Sequence, residues 1–214
     1  LMIGDNAIGV TGDDSGTYTL NGSAVGDLMI SFGANGTLNG GDGDDVLVTM
    51  GRAGGTDGGS GTDVFNGGNG TDTLGLDLVA GLTGYTVDLA AGTGSVAATV
   101  SSSFTVSGIE NVDGYDFNDT ITGDANAHDL RGWDGNDALN GGDGNDNLNG
   151  GAGNDTLTGG NGTADTIDYG SDANSNGDDL GVVVSLGTGQ TNSWQGVNFT
   201  VGTSQALDGS GGAG

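Results

Sequence analysis

The chain has no cysteine and no proline, and its only basic residues are Arg52 and Arg131. Without cysteine, no disulfide can staple the fold. Two arginines cannot neutralise a phosphate backbone, so a nucleic-acid partner is excluded. The same imbalance repels anionic lipid surfaces. No apolar run reaches the ~18 residues of a membrane span, so membrane insertion by this segment is not expected. Aromatic residues make up 5%, too few for an ordinary globular core. The single histidine, His128, comes without cysteine, a His-Glu-x-x-His helix or a Gly-x-Ser-x-Gly turn. Nothing therefore supports a zinc hydrolase or an activated serine, and the chain is not expected to be an enzyme.

Glycine and acid are what is present. Glycine supplies 50 of 214 residues, and 29 acidic side chains set the net charge at -27. Low hydrophobicity with high charge signals disorder, and self-repulsion should expand the chain unless cations enter the structure. Ordering glycine costs more entropy than any other residue. Something other than apolar burial must offset that cost.

The glycine is periodic. Seven stretches fit Gly-Gly-x-Gly-x-Asp-x-(apolar)-x wholly or closely: Gly40–Val48, Gly58–Asn66, Gly67–Gly75, Gly132–Asn140, Gly141–Asn149, Gly150–Thr158 and the stretch opening at Gly159. A strict short period identifies a solenoid, and this nonapeptide resembles a calcium-binding parallel β-helix repeat. The frame runs beyond the good copies. Its eighth position reads Leu20, Met29, Leu38, Leu47, Thr56, Phe65 and Leu74, then Ile121, Leu130, Leu139, Leu148, Leu157 and Ile167. The first six residues of each unit form a glycine turn, and the last three a short strand with one side chain inward. Two units complete a coil, so turns alternate between two edges.

The expected fold class is all-β, a parallel β-roll or β-solenoid of nine-residue half-coils. Two blocks are joined by a strand-rich segment. The expected boundaries are 1–75 for a first calcium-binding block and 76–113 for a connecting segment. A second calcium-binding block spans 114–168, and 169–214 is a strand-rich segment leading into a further repeat. Tyr85–Leu89, Ala97–Val106, Gly181–Leu186 and Val197–Val201 read as strands. Gly84-Tyr-Thr-Val-Asp-Leu and Gly181-Val-Val-Val-Ser-Leu, with neighbouring matches, suggest a longer repeat of roughly 95 residues. The chain is therefore expected to be a piece of a tandem array.

Calcium takes six to eight oxygens and favours carboxylates and backbone carbonyls, which an acidic glycine turn offers. Units two apart share an edge, so their sixth residues can sandwich an ion. With this spacing, three pairs are the primary sites expected: Asp45 with Asp63, Asp137 with Asp155, and Asp146 with Asp165. Two further pairs join Asp27 with Asp45 and Asp119 with Asp137. Asp72 would face Gly54, and His128 stands where oxygen is wanted, so gaps are expected there.

These units resemble the RTX (repeats-in-toxin) family of bacterial secreted proteins, and Ser107–Asp124 resembles a stretch found between RTX blocks. The resemblance implies a right-handed β-roll and a ligand set of sixth-position Asp with carbonyls one and three of one turn and two and four of the other. Carried over, Gly40, Asp42 and Asp45 would oppose Gly59, Gly61 and Asp63. Gly132, Asp134 and Asp137 would oppose Gly151, Gly153 and Asp155. Gly141, Asp143 and Asp146 would oppose Gly160, Gly162 and Asp165. Departures from the pattern are Tyr115 and Trp133 at the second glycine, Phe117 at the fourth, and an insertion near Ala164.

The resemblance further implies type I secretion and folding on calcium outside the cell. The expected function is a calcium-binding structural module of a large secreted or surface-attached protein of adhesin, surface-layer or matrix type. The alternative is the accessory roll of a secreted enzyme or toxin whose catalytic domain lies elsewhere. The expected partners are calcium and further copies of the chain or other surface components.

Overall fold

The computed structural model describes residues 8–11, 17–31, 35–49, 62–76, 82–98, 102–168, 183–185, 191–194 and 197–200. These residues form strands and turns with no helix, and the strands pair mostly in parallel. Packing divides the chain into two compact units, Leu1–Tyr115 and Asp116–Gly214.

In the first unit, strands alternate between two sheets. One sheet runs β1 (Ile8–Thr11), β3 (Leu28–Ser31), β5 (Val46–Thr49), β7 (Thr73–Leu76) and β11 (Asn111–Asp113), all parallel. The other runs β2 (Tyr18–Asn21), β4 (Gly36–Asp42), β6 (Thr62–Asn69) and β10 (Ser102–Ser107), also parallel. Antiparallel β9 (Thr93–Ala98) and β8 (Leu82–Asp88) extend this second sheet. Burial alternates along strands such as β3 and β4, where one side chain in two points inward. Leu20, Met29, Leu38, Leu47, Phe65 and Leu74, the eighth residues of their units, are buried to 1% exposure or less. Each contributes about 1.5–3 kcal/mol.

The stacking departs from the expected register. Leu47 lies opposite Leu74 and Leu38 opposite Phe65, a step of one and a half coils in sequence rather than one. One nonad's length is therefore left out of the coil count between β5 and β6. The unit Thr49–Asp57 explains this, because Thr56 stands at its apolar position and Gly54 at its acid position. Its sequence offers neither an apolar eighth residue nor an acid at the sixth place. Residues 50–61, including Gly54, Gly59 and Gly61, lie outside the described residues.

The connecting segment is not a nonad roll. The expected strand Ala97–Val106 is two antiparallel strands, β9 and β10. Phe104 meets Phe65 edge-to-face with centroids 5.6 Å apart. A Cβ on Gly94 would stand 2.1 Å from the Phe104 ring, so only glycine passes beneath it.

The second unit repeats the roll. One sheet runs β13 (Asp129–Asp134), β15 (Asn147–Ala152), β17 (Thr166–Asp168) and β19 (Thr191–Trp194), with antiparallel β20 (Val197–Thr200). The other runs β12 (Thr120–Thr122), β14 (Ala138–Asp143), β16 (Thr156–Asn161) and β18 (Val183–Ser185). Here the register steps by a regular coil, with Leu130 on Leu148 and Leu139 on Leu157. Most of 169–214 lies outside the described residues.

Candidate calcium centre

Stacking coils places the sixth residues of alternate turns in columns. Among the described residues, the first unit holds one column, Asp27–Asp45–Asp72, closed by Glu110. The second unit holds two, Asp119–Asp137–Asp155 and His128–Asp146–Asp165. Within each column the amide of one member donates to a carboxylate oxygen of the next. Asp27 N to Asp45 Oδ1 is 2.8 Å, Asp45 N to Asp72 Oδ1 2.8 Å, and Asp72 N to Glu110 Oε2 2.8 Å. Asp119 N to Asp137 Oδ1 is 2.7 Å and Asp137 N to Asp155 Oδ1 2.8 Å. His128 N to Asp146 Oδ1 is 2.9 Å and Asp146 N to Asp165 Oδ1 3.0 Å. Carbonyls of the same residues accept from the following strand, as in Thr156 N to Asp137 O at 2.7 Å. From its second member on, each column thus has its carboxylates held by the amide of the residue before.

In Asp45, Asp72, Asp137, Asp146 and Asp155 one carboxylate oxygen is used this way, and the other is not. Oδ2 of Asp45, Asp72, Asp137, Asp146 and Asp155 is buried without a hydrogen-bond partner. A buried unsatisfied carboxylate oxygen is costly, and its presence calls for an ion. Burial pushes the Asp137 carboxyl up to about 7 and those of Asp72 and Asp146 to about 6. Backbone donors offset this only in part, and neighbouring acids add to it. Burial also raises Asp45 and Asp155. A cation between the turns would relieve the cost.

The first glycine of each turn opens the space. A Cβ on Gly40 would lie 2.1 Å from Asp45 Oδ2 and 2.3 Å from the Gly67 carbonyl. On Gly132 it would lie 2.1 Å from Asp137 Oδ2 and 2.6 Å from the Gly150 carbonyl. On Gly141 the distances are 2.3 Å to Asp146 Oδ2 and 2.6 Å to the Gly159 carbonyl. Each gap therefore gathers a free carboxylate oxygen and a carbonyl in a volume that any side chain would fill. Among the described residues no three His, Cys, Asp or Glu side chains converge. An ion here would be held by carboxylates and carbonyls together, the hard-oxygen set that suits calcium.

The structure corrects three expectations. Asp45 is paired with Asp72, not Asp63, because of the skipped nonad. Asp63 instead accepts from Gly36 N at 2.6 Å, and burial raises its carboxyl. Consequently Asp72 faces an acid rather than Gly54. The carbonyl assignment is also reversed. The Trp133 and Gly135 carbonyls lie 2.0 and 1.4 Å from where Cβ atoms on Gly151 and Gly153 would sit. Those of Gly142 and Gly144 approach Gly160 and Gly162 likewise, at 1.9 and 2.0 Å. Ala152 O, third in its turn, accepts from Gly135 N at 2.9 Å. Carbonyls two and four of the earlier turn thus approach the later one, and carbonyls one and three of the later turn approach the earlier. The chain direction in a parallel stack fixes which carbonyls face each gap.

Asp42, Asp134 and Asp143 carry exposed side chains outside the gaps. Asp42 and Asp143 accept from Asn69 Nδ2 and Asn161 Nδ2 at 2.9 and 3.0 Å, forming side-chain ladders. Asp119 and Asp165 are buried in their columns. Glu110 and Gly108 are additional to the sequence-derived set. The Gly108 carbonyl lies 1.9 Å from where a Cβ on Gly67 would sit, and Asp72 Oδ2 lies 2.5 Å from that point. The signal was available, since the nonad frame through Thr105–Asp113 puts Glu110 at position six.

Fold and site together define a β-roll whose acidic glycine turns bind calcium. The family model for the RTX calcium-binding nonapeptide repeat (4 copies) matches residues 32–51, 57–74, 104–139, 131–164 and 140–175. The chain belongs to that family, and it is a calcium-binding structural module. No individual curated protein matches it.

Proposed function

We propose that this module is a non-catalytic, calcium-dependent spacer of a large secreted or surface-attached bacterial protein of adhesin, surface-layer or matrix type. It leaves the cell by type I secretion as an expanded acidic chain and folds on meeting calcium outside. The observation that carries this reading is the set of stacked, buried carboxylate oxygens without partners, which makes the folded state expensive until a cation arrives. The net charge of -27 keeps the metal-free chain self-repelling. No helix among the described residues is long and apolar enough to cross a membrane.

Circular dichroism in chelator and in millimolar calcium tests the reading. A β signal that appears only with calcium is expected. A full β signal in chelator at neutral pH would remove the calcium-triggered step.

A further inference from the structure

Two turns differ from those of Asp45, Asp72, Asp137, Asp146 and Asp155 in how the sixth residue is satisfied. In the turn Gly22–Asp27, Asp27 Oδ2 accepts from Ser23 N at 2.7 Å and Ser23 Oγ at 2.9 Å. In the turn Gly123–His128, the amide of Asp124 donates to His128 Nε2 at 3.0 Å, and that ring nitrogen also lies 3.0 Å from Asp124 Oδ1. Different side chains are thus closed by the same donor, the amide of the turn's second residue.

The backbone explains the difference. In other described turns the second residue has positive φ: Gly41 at 115°, Gly68 at 114°, Gly142 at 99°, Gly151 at 91° and Gly160 at 101°. Ser23 and Asp124 do not belong to this positive-φ set. Where the second residue is left-handed, as in the turns of Asp45, Asp72, Asp137, Asp146 and Asp155, Oδ2 of the sixth residue takes no hydrogen bond, whereas Ser23 and Asp124 donate their amides to the sixth side chain. Trp133 discriminates conformation from residue type. It is bulky and half exposed, yet it keeps φ at 75°, and Oδ2 of Asp137 in its turn takes no hydrogen bond.

We propose that the second residue of each turn decides whether that turn takes calcium. A left-handed second residue leaves the sixth carboxylate open to the ion. Ser23 and Asp124 close their turns with their own amides, so the gaps Gly22/Gly40 and Gly123/Gly141 hold no calcium. Each of these two columns then starts on a turn that folds without metal. This inference rests on the calcium reading above and adds to it which turns are shut.

Ion counting by native mass spectrometry of the calcium-loaded chain tests it. Ser23→Gly restores the Gly-Gly pair, frees Asp27 Oδ2 and should add one ion. Asp124→Gly with His128→Asp should also add one. Asp27→Asn should leave the count unchanged, while Asp137→Asn should lower it. An unchanged count in both glycine variants, or a lost ion in Asp27→Asn, overturns the proposal. A wild-type chain that retains no calcium overturns the calcium reading itself, a result distinct from either.

Discussion

The amide of Asp45 donates to Oδ1 of Asp72 at 2.8 Å across 27 residues of sequence. That bond fixes which turns share an edge in the first unit, and it removes Asp63 from the calcium column. Asp72→Asn should therefore weaken calcium binding by the turns at Gly40 and Gly67. The expected loss is about 1.5–3 kcal/mol, that of a hydrogen-bonded charged group. Asp63→Asn should leave calcium binding unchanged and be neutral or stabilising, because burial already disfavours the Asp63 charge. Calorimetric titration of both variants checks this. An equal loss in both would restore the pairing that the nine-residue count suggests.

The first glycine of a turn should tolerate no side chain. Gly141→Ala places a methyl 2.3 Å from Asp146 Oδ2, so at least a tenfold loss of affinity at that gap is expected, about 1.4 kcal/mol or more. Gly75→Ala is the control. Its Cβ would come no nearer than 3.4 Å to Val48 Cγ2, an ordinary contact. There a neutral effect or a gain of about 0.4–1 kcal/mol is expected from reduced freedom of the unfolded chain. Thermal unfolding in excess calcium separates the two.

The metal-free roll should be favoured by acid. Asp137 stands at about 7 and Asp72 and Asp146 at about 6 in the fold, against an ordinary value of 3.8. The folded state therefore binds more protons than the unfolded state between those values. This contribution to stability is fully present below about pH 4 and is lost as pH rises through about 6 to 7. Calcium competes with the same protons, so its apparent affinity should rise over the same window and binding should release protons. Circular dichroism of the chelator-treated chain across that range checks the sign. A metal-free chain more ordered at neutral pH than in acid would contradict it.

The frame and the inward residues were legible in the sequence because each unit repeats an apolar side chain nine residues on. Leu38, Leu47, Leu139 and Leu148 needed no more than that count. The stacking partner of Asp45 was not legible. A defective unit such as Thr49–Asp57 still counts nine residues, and only energetics decides whether it occupies a place in the coil. Carbonyl direction was hidden for a different reason. Which of the Gly132 or Trp133 carbonyls faces Gly151 depends on strand polarity in the stack, not on residue type. Glu110 lay in frame, at the sixth place of Thr105–Asp113, but outside any glycine motif, so it was not counted among the ligands.

Anomalous diffraction from calcium-grown crystals tests the central claim most directly, that partnerless carboxylate oxygens in stacked turns hold the ions. Peaks are expected against Oδ2 of Asp45, Asp72, Asp137 and Asp146, beside the carbonyls of Gly67, Gly108, Gly150 and Gly159 respectively. Ions confined to the exposed acids Asp42, Asp134 and Asp143, with those buried oxygens bare in the folded roll, would contradict the account.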